Sequence, residues 1–256
     1  MVNPVAAAAN DRWVAPIRHA LPTLALILVI LAGSWSCLIH LAAGMRDMRY
    51  GTGMWLMPRM TDWDTSDLVL VFLMWALMMA AMMLPSVTAT VARWASTPTV
   101  GGTAGAVGFI TGYLLVWVAF SLVATLLQWL LLRAALVSPM MESTSALMSA
   151  ALFLVAGLYQ FTPLKRRNLC RCRSSSITAT GRPHCGAIAA GVRSGAACLA
   201  CCWALMLLLF ATGVMNVTAM IVLAGYVLAE KSAAGGLRLS RVAGAVLCAA
   251  GIALLV

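Results

Sequence analysis

The stretch Cys198-Leu199-Ala200-Cys201-Cys202 sets three thiols at spacings of three and four. On a helix these spacings put Cys198 beside both Cys201 and Cys202 on one face, close enough for two sulfurs to share one ion. Arg193 upstream, and the free amides of a helix expected to begin near Gly195, suit an anionic thiolate, the form that binds metal. Thiolates select soft ions over magnesium or calcium; copper as Cu(I) is the first expectation, ahead of zinc or iron. Cys170-Arg171-Cys172 adds two thiols from a basic stretch upstream, and His184-Cys185 lies between the two groups. The competing reading is that cysteine is a small apolar residue tolerated in helices, which is how Cys37 and Cys248 are read.

Methionine is the second sulfur signal. Met45, Met48, Met54, Met57 and Met60 lead into Met74, Met78, Met79, Met82 and Met83. On a helix Met74, Met78 and Met82 form one row, with Met79 and Met83 in a second row beside it. Thioethers bind Cu(I) without losing a proton, so such a face is a chemically reasonable route for that ion through apolar surroundings. Methionine also fills irregular gaps between helices, and the stripe alone does not separate the two uses. Glu230, next to Lys231, is either a ligand or proton-coupling group or half of a pair snorkelling to an interface. The candidate metal ligands are therefore Cys170, Cys172, Cys198, Cys201, Cys202, Met74, Met78, Met79, Met82, Met83 and Glu230, and no residue is assigned a catalytic role.

Composition says what must position these groups. The 256 residues are 63% hydrophobic and 9% charged, with a mean hydropathy of +0.97, whereas a soluble domain carries about 25% charge. Several runs exceed the roughly 20 apolar residues that cross a bilayer core. The expected fold is all-α, a polytopic transmembrane bundle of about seven helices: Leu21 to Ala43, Leu68 to Trp94, Ala104 to Leu132, Thr144 to Thr162, Gly195 to Thr212, Val214 to Ala229 and Val242 to Val256. Residues 1–20 are then a cytoplasmic N-terminal segment and 21–256 one transmembrane domain. That domain has an outer Met- and Asp-rich loop at 44–67 and an inner basic, Cys-containing loop at 163–194.

With the N-terminus inside, Arg12, Arg18, Arg93, Lys165, Arg166, Arg167, Arg171, Arg173, Arg182, Arg193, Lys231, Arg238 and Arg241 fall on the cytoplasmic side. Only Arg46, Arg49, Arg59 and Arg133 fall outside, the asymmetry of positive-inside insertion. The formal charge of +10 thus reports topology and a lipid bilayer, not a nucleic-acid partner. The first apolar run is longer than a secretory signal core and is read as an uncleaved helix.

Trp75-Ala76-Leu77-Met78 recurs as Trp203-Ala204-Leu205-Met206, and Gly112-Tyr113-Leu114-Leu115 is echoed by Gly225-Tyr226-Val227-Leu228. Each pair is separated by about three spans, the pattern of an inverted repeat of three helices. Pro85 should kink the second helix and free carbonyls near its inner end. The few polar residues at depth are Gln128, Gln160, Asn216 and Glu230. With only His19, His40 and His184, the chain cannot assemble the imidazole cluster of a copper oxygenase or di-iron hydroxylase.

The runs Met74 to Pro85, Gly157 to Lys165, Cys170 to Ser174, Gly195 to Met206, Gly213 to Asn216 and Glu230-Lys231 resemble a bacterial domain-of-unknown-function family of predicted metal-binding integral membrane proteins. The resemblance covers about Leu68 to Lys231 and implies a membrane metal protein, without fixing substrate or mechanism. Cys170 and Cys172 stand closer together here than in that family's pattern. Locally, the vicinal Cys201-Cys202 pair is also similar to the small bacterial mercury-transport membrane proteins.

These readings point to a multi-pass protein of the bacterial inner (plasma) membrane that binds a soft ion, copper first, for transport or delivery. Its partner would be a metallochaperone or a metalloenzyme subunit. Two alternatives stay open: a thiol-redox or metal-dependent membrane oxidoreductase subunit, and a structural subunit of a membrane complex whose Met and Cys residues only pack.

Overall fold

The structure is a computed structural model that describes residues 4–48, 63–96, 102–134, 145–173, 183–233 and 235–255. Met54, Met57 and Met60 of the expected outer loop lie outside the described residues. The chain is all-α. In order the elements are α1 (Pro4–Met48), α2 (Thr65–Met83), a 3-10 turn (Leu84–Val87), α3 (Thr88–Ala95), α4 (Gly102–Arg133) and α5 (Ala146–Phe161). They continue with α6 (Pro163–Arg173), α7 (Pro183–Met206), α8 (Leu208–Thr212), α9 (Val217–Ser232) and α10 (Gly236–Ala253).

Local chemistry sets several of these boundaries. Asp64 and Asp67 close a reciprocal capping box at the start of α2. Asn216 Oδ1 accepts the amide of Ala219 to start α9. Thr162 Oγ1 accepts the amide of Lys165, and Pro163 follows at the first helical position, so α6 begins abruptly after α5 at a 67° bend.

Three expectations change. The described residues form ten α-helices and a 3-10 turn instead of about seven helices, because the break at Pro85 divides one apolar run and a further helix starts at Pro163. The first helix begins at Pro4, not Leu21, so most of segment 1–20 is helical; and the expected inner loop 163–194 is helical over α6 and the first half of α7. Hydropathy underrates both stretches of that loop. One is rich in Lys and Arg and the other carries Ala187, Ala189 and Ala190, all good helix formers. In consequence Cys198 to Cys202 sit well inside α7, and the helix N-terminus does not polarise them.

Among the described residues, Leu21–Gly44, Thr65–Ala95, Gly102–Arg133, Gly186–Thr212 and Gly236–Ala253 are long and apolar enough to cross a membrane, and the bent pair α5–α6 adds a sixth candidate. The 16 residues of α9 fall short of that length. Large apolar side chains such as Val29, Val123, Val222 and Val246 face outward, as lipid-facing positions would.

Facing residues define relative helix directions. Trp75 of α2 donates to Gln128 of α4 at 2.6 Å, while Trp94 of α3 stacks on Phe109 near the start of α4, so α2–α3 and α4 are antiparallel. A Cβ on Gly112 would overlap the backbone of Ile188, and one on Gly191 the backbone of Phe109. Gly195 faces Tyr113 and Val116, so α4 and α7 run parallel in close backbone contact. The pair α5–α10 is antiparallel: Gly157 opposes Cys248 and Gly244, and Gly251 opposes Ala150 and Leu154.

Candidate functional site

The site is assembled where α2 breaks. Pro85 has no amide to continue the helix, and the chain tightens into the 3-10 turn there. The carbonyl of Met83 is taken up by Ser86 Oγ at 2.8 Å and by Tyr113 Oη of α4 at 3.3 Å. Close α4–α7 packing then sets Tyr113 against Cys198, with oxygen and sulfur 3.2 Å apart. Lys231, from the last turn of α9, donates to Cys198 Sγ at 2.8 Å and to Ser86 Oγ at 2.9 Å. One thiol therefore meets a hydroxyl and an ammonium from two other helices.

The neighbouring thiols occupy the same turn and are equally hidden: Cys198 is 1% exposed, Cys201 and Cys202 0%. Both donate back to the carbonyl of Cys198, Cys201 at 3.1 Å and Cys202 at 3.0 Å. Tyr159 of α5 donates to the carbonyl of Ala200, and its ring meets Trp203 edge-on at 5.2 Å, which fixes this turn from the other side. The sulfur of Cys172, on α6, lies 3.9 Å from that of Cys201.

The structure divides the sequence candidates. Cys172 joins the α7 thiols, whereas Cys170 is exposed on the far side of α6, because residues two apart on a helix point in nearly opposite directions. Met74, Met78, Met79, Met82 and Met83 are all buried in the same core cluster as Cys198, Cys201 and Cys202, so the methionine face looks inward. Glu230 is fully buried but is not paired with Lys231. Its Oε2 accepts from Lys165 Nζ at 2.8 Å and its Oε1 from Tyr226 at 3.2 Å, so both oxygens are engaged. Lys165 is itself only 1% exposed, and the pair ties α6 to α9. Among the described residues no group of three or more His, Cys, Asp or Glu side chains converges on one point as a ready-made ligand set.

Sequence reasoning passed over Ser86, Tyr113, Lys165 and the role of Lys231. Two signals were available: a serine directly after the helix-breaking Pro85, and a lysine set by Thr162-Pro163 at the start of an amphipathic turn. The face Lys165, Asn168, Leu169 and Cys172 recurs at spacings of three and four and is the face that packs.

A sequence model of one protein family, PpoB2, described as copper chaperone, matches residues 72–254. No curated protein and no solved structure matches the chain.

Proposed function

The chain belongs to the PpoB2 copper-chaperone family, and from that premise we propose that it is a multi-pass membrane protein that holds Cu(I) on sulfur and passes it to a metalloenzyme subunit or a second metallochaperone. The observation that carries the reading is the sulfur pair Cys172–Cys201, 3.9 Å apart on separate helices and packed into the same core cluster as the buried methionines of α2. Thiolate bonds to a first-row ion are about 2.3 Å long, so an ion between these sulfurs would see them at an angle of roughly 115°. That angle leaves room for a third sulfur, and a side-chain rotation of Cys198 or Cys202 supplies it. The ammonium of Lys231 offsets the negative charge that two thiolates retain around a monovalent ion.

The methionines, from Met74 to Met83 in the C-terminal half of α2, give a neutral, weaker approach that leads toward the thiolates. With the basic ends of α6, α9 and α10 on the cytoplasmic side, the thiols lie toward the cytoplasm and the route runs inward from the outer face. The five long apolar stretches support a location in the inner membrane.

The test is anaerobic purification in mild detergent followed by metal analysis after Cu(I) loading. The expected result is about one copper per chain, with affinity at least ~100-fold lower in Cys172→Ser or Cys201→Ser, above the ~10–100-fold typical for losing a supporting group. Copper content unchanged in a variant lacking Cys172, Cys198, Cys201 and Cys202 would overturn the reading.

One observation favours a second reading, thiol redox chemistry: the same 3.9 Å gap is about 2 Å wider than a disulfide bond, and it joins two helices instead of one continuous helix. Mass mapping after mild oxidation decides it, since a Cys172–Cys201 crosslink that forms reversibly with copper absent and no copper bound after loading would favour redox.

A further inference from the structure

Where α5 turns into α6, the helix ends leave a cavity of about 120 Å³ whose polar lining is Gln160, Thr162, Lys165, Arg166, Ser240 and Arg241. One water needs about 10–15 Å³ on a comparable measure, so the space holds several waters or the five heavy atoms of a phosphate group. Among the described residues no carboxylate lines it.

The lining is built to donate. Gln160 is 4% exposed; its Oε1 accepts from Ser240 Oγ at 3.0 Å, but its Nε2 is buried without a hydrogen-bond partner. A buried amide donor left unmade is costly, and the side chain that carries it is one of those lining this cavity. The first turn of α6 opens onto the same space through Thr162 and Pro163 and brings the positive end of its dipole. Lys165 is neutralised by Glu230 at 2.8 Å, which leaves Arg166 and Arg241 at the mouth; neither has a carboxylate in salt-bridge reach among the described residues. Two planar guanidinium groups without a carboxylate partner among the described residues, beside a buried side-chain amide donor, suit a tetrahedral oxyanion.

We propose that this cavity binds a phosphate oxyanion, carried either by an anionic phospholipid headgroup or by free phosphate. The site is separate from the copper thiols and goes beyond copper handling. It lies at the basic end of the bundle, where pockets between spanning helices meet anionic headgroups. The lipid source rests on the membrane reading above; the free-anion source does not.

The test uses the full chain in mild detergent with three probes: phosphatidylglycerol, phosphatidylcholine and inorganic phosphate. Thermal melting reports binding, and native mass spectrometry reports retained lipid. Phosphatidylglycerol should raise the melting midpoint and remain bound while phosphatidylcholine does neither, and affinity should fall about tenfold in the Arg166→Gln/Arg241→Gln variant. Both arginines are exposed, so this variant keeps its packing; Gln160→Leu, which removes the orphaned donor, is the second variant and should weaken binding as well. A midpoint raised by inorganic phosphate alone, with exclusion of the lipid, assigns the site to the free anion; a response to lipid alone assigns it to the headgroup. No response to either probe, or a response undiminished in both variants, would overturn the proposal. Neither result bears on whether the thiols hold copper.

Discussion

The helix pairs α4–α7 and α5–α10 are both drawn together on glycine, yet one runs parallel and the other antiparallel, and they carry different chemistry one turn from the contact. Gly195 faces Tyr113, and three residues on stands Cys198; Gly157 faces Gly244, and three residues on stands Gln160. In each case the glycine fixes how closely two backbones approach, and the polar residue a turn away inherits that distance. The first pair thereby sets a hydroxyl against a thiol, and the second sets a hydroxyl against an amide above a cationic cavity. Close packing is the common device; the side chain beside it decides whether the product is a sulfur site or an oxyanion site.

The largest expected effect falls where the two regions are joined. Lys165 follows α5 through the bend, Glu230 sits one residue before the lysine that meets Cys198, and their ion pair is completely buried. Glu230→Gln leaves an unpaired ammonium in the core and should cost about 3–5 kcal/mol, read as a fall in thermal stability in detergent. The double change Lys165→Met/Glu230→Leu should recover most of that loss. If the double variant is no more stable than Glu230→Gln, the pair is not the join between the regions.

Next come the glycines themselves. Gly112→Leu forces a side chain into the backbone of Ile188, and Gly157→Leu forces one into Cys248 and Gly244, each costing about 1–3 kcal/mol of stability. Gly225→Leu meets open space and should be neutral in melting. The comparison is sharpened by copper: Gly112→Leu should lose it along with stability, whereas Gly157→Leu should retain copper at temperatures where it is folded. Equal copper loss in both would mean that the pairs act as one unit.

The legible parts of this fold and site were those that live within one helix. Periodicity aligned Cys198 with Cys201 and Cys202 and set Met74, Met78 and Met82 in a row, and the missing amide of Pro85 marked the break in the helix. What periodicity does not carry is which neighbour each face meets. Tyr113 reaches Cys198 only because glycines let α4 and α7 touch, and adjacent Glu230 and Lys231 take different partners because about 100° of helix rotation separates them. The start of α7 was misplaced because hydropathy marks apolar length, while helix formation at Pro183 needs only a starting proline and alanines. Cys170 and Cys172 looked equivalent in a supposed loop and became unlike once α6 was helical.

Lys231 tests the sulfur region on its own. Its ammonium meets Cys198 and Ser86 together, so Lys231→Met removes the charge while keeping the stem. Copper affinity should fall about tenfold, the lower end for loss of a supporting group at a metal site, with Lys231→Arg intermediate. The oxyanion cavity should respond identically to wild type in the same protein. A copper affinity unchanged in Lys231→Met would mean that the ammonium only plugs the thiol in the metal-free chain.

The smallest effects come from matched hydroxyl deletions, one in each pair. Tyr113→Phe removes the donor to the Met83 carbonyl and the contact with Cys198, and Ser240→Ala removes the bonds to the carbonyl and side chain of Gln160. Each loses a hydrogen bond worth about 0.5–1.5 kcal/mol, so melting alone should not tell them apart. The ligands should separate them, because Tyr113 touches a sulfur and Ser240 touches an amide. Copper affinity should drop a few-fold only in Tyr113→Phe. In Ser240→Ala the amide of Gln160 loses the partner that orients it, so phosphate or phosphatidylglycerol binding should weaken there and stay intact in Tyr113→Phe. A crossed result, with Ser240→Ala shifting copper, would place the two hydroxyls in one network and remove the separation between the helix pairs.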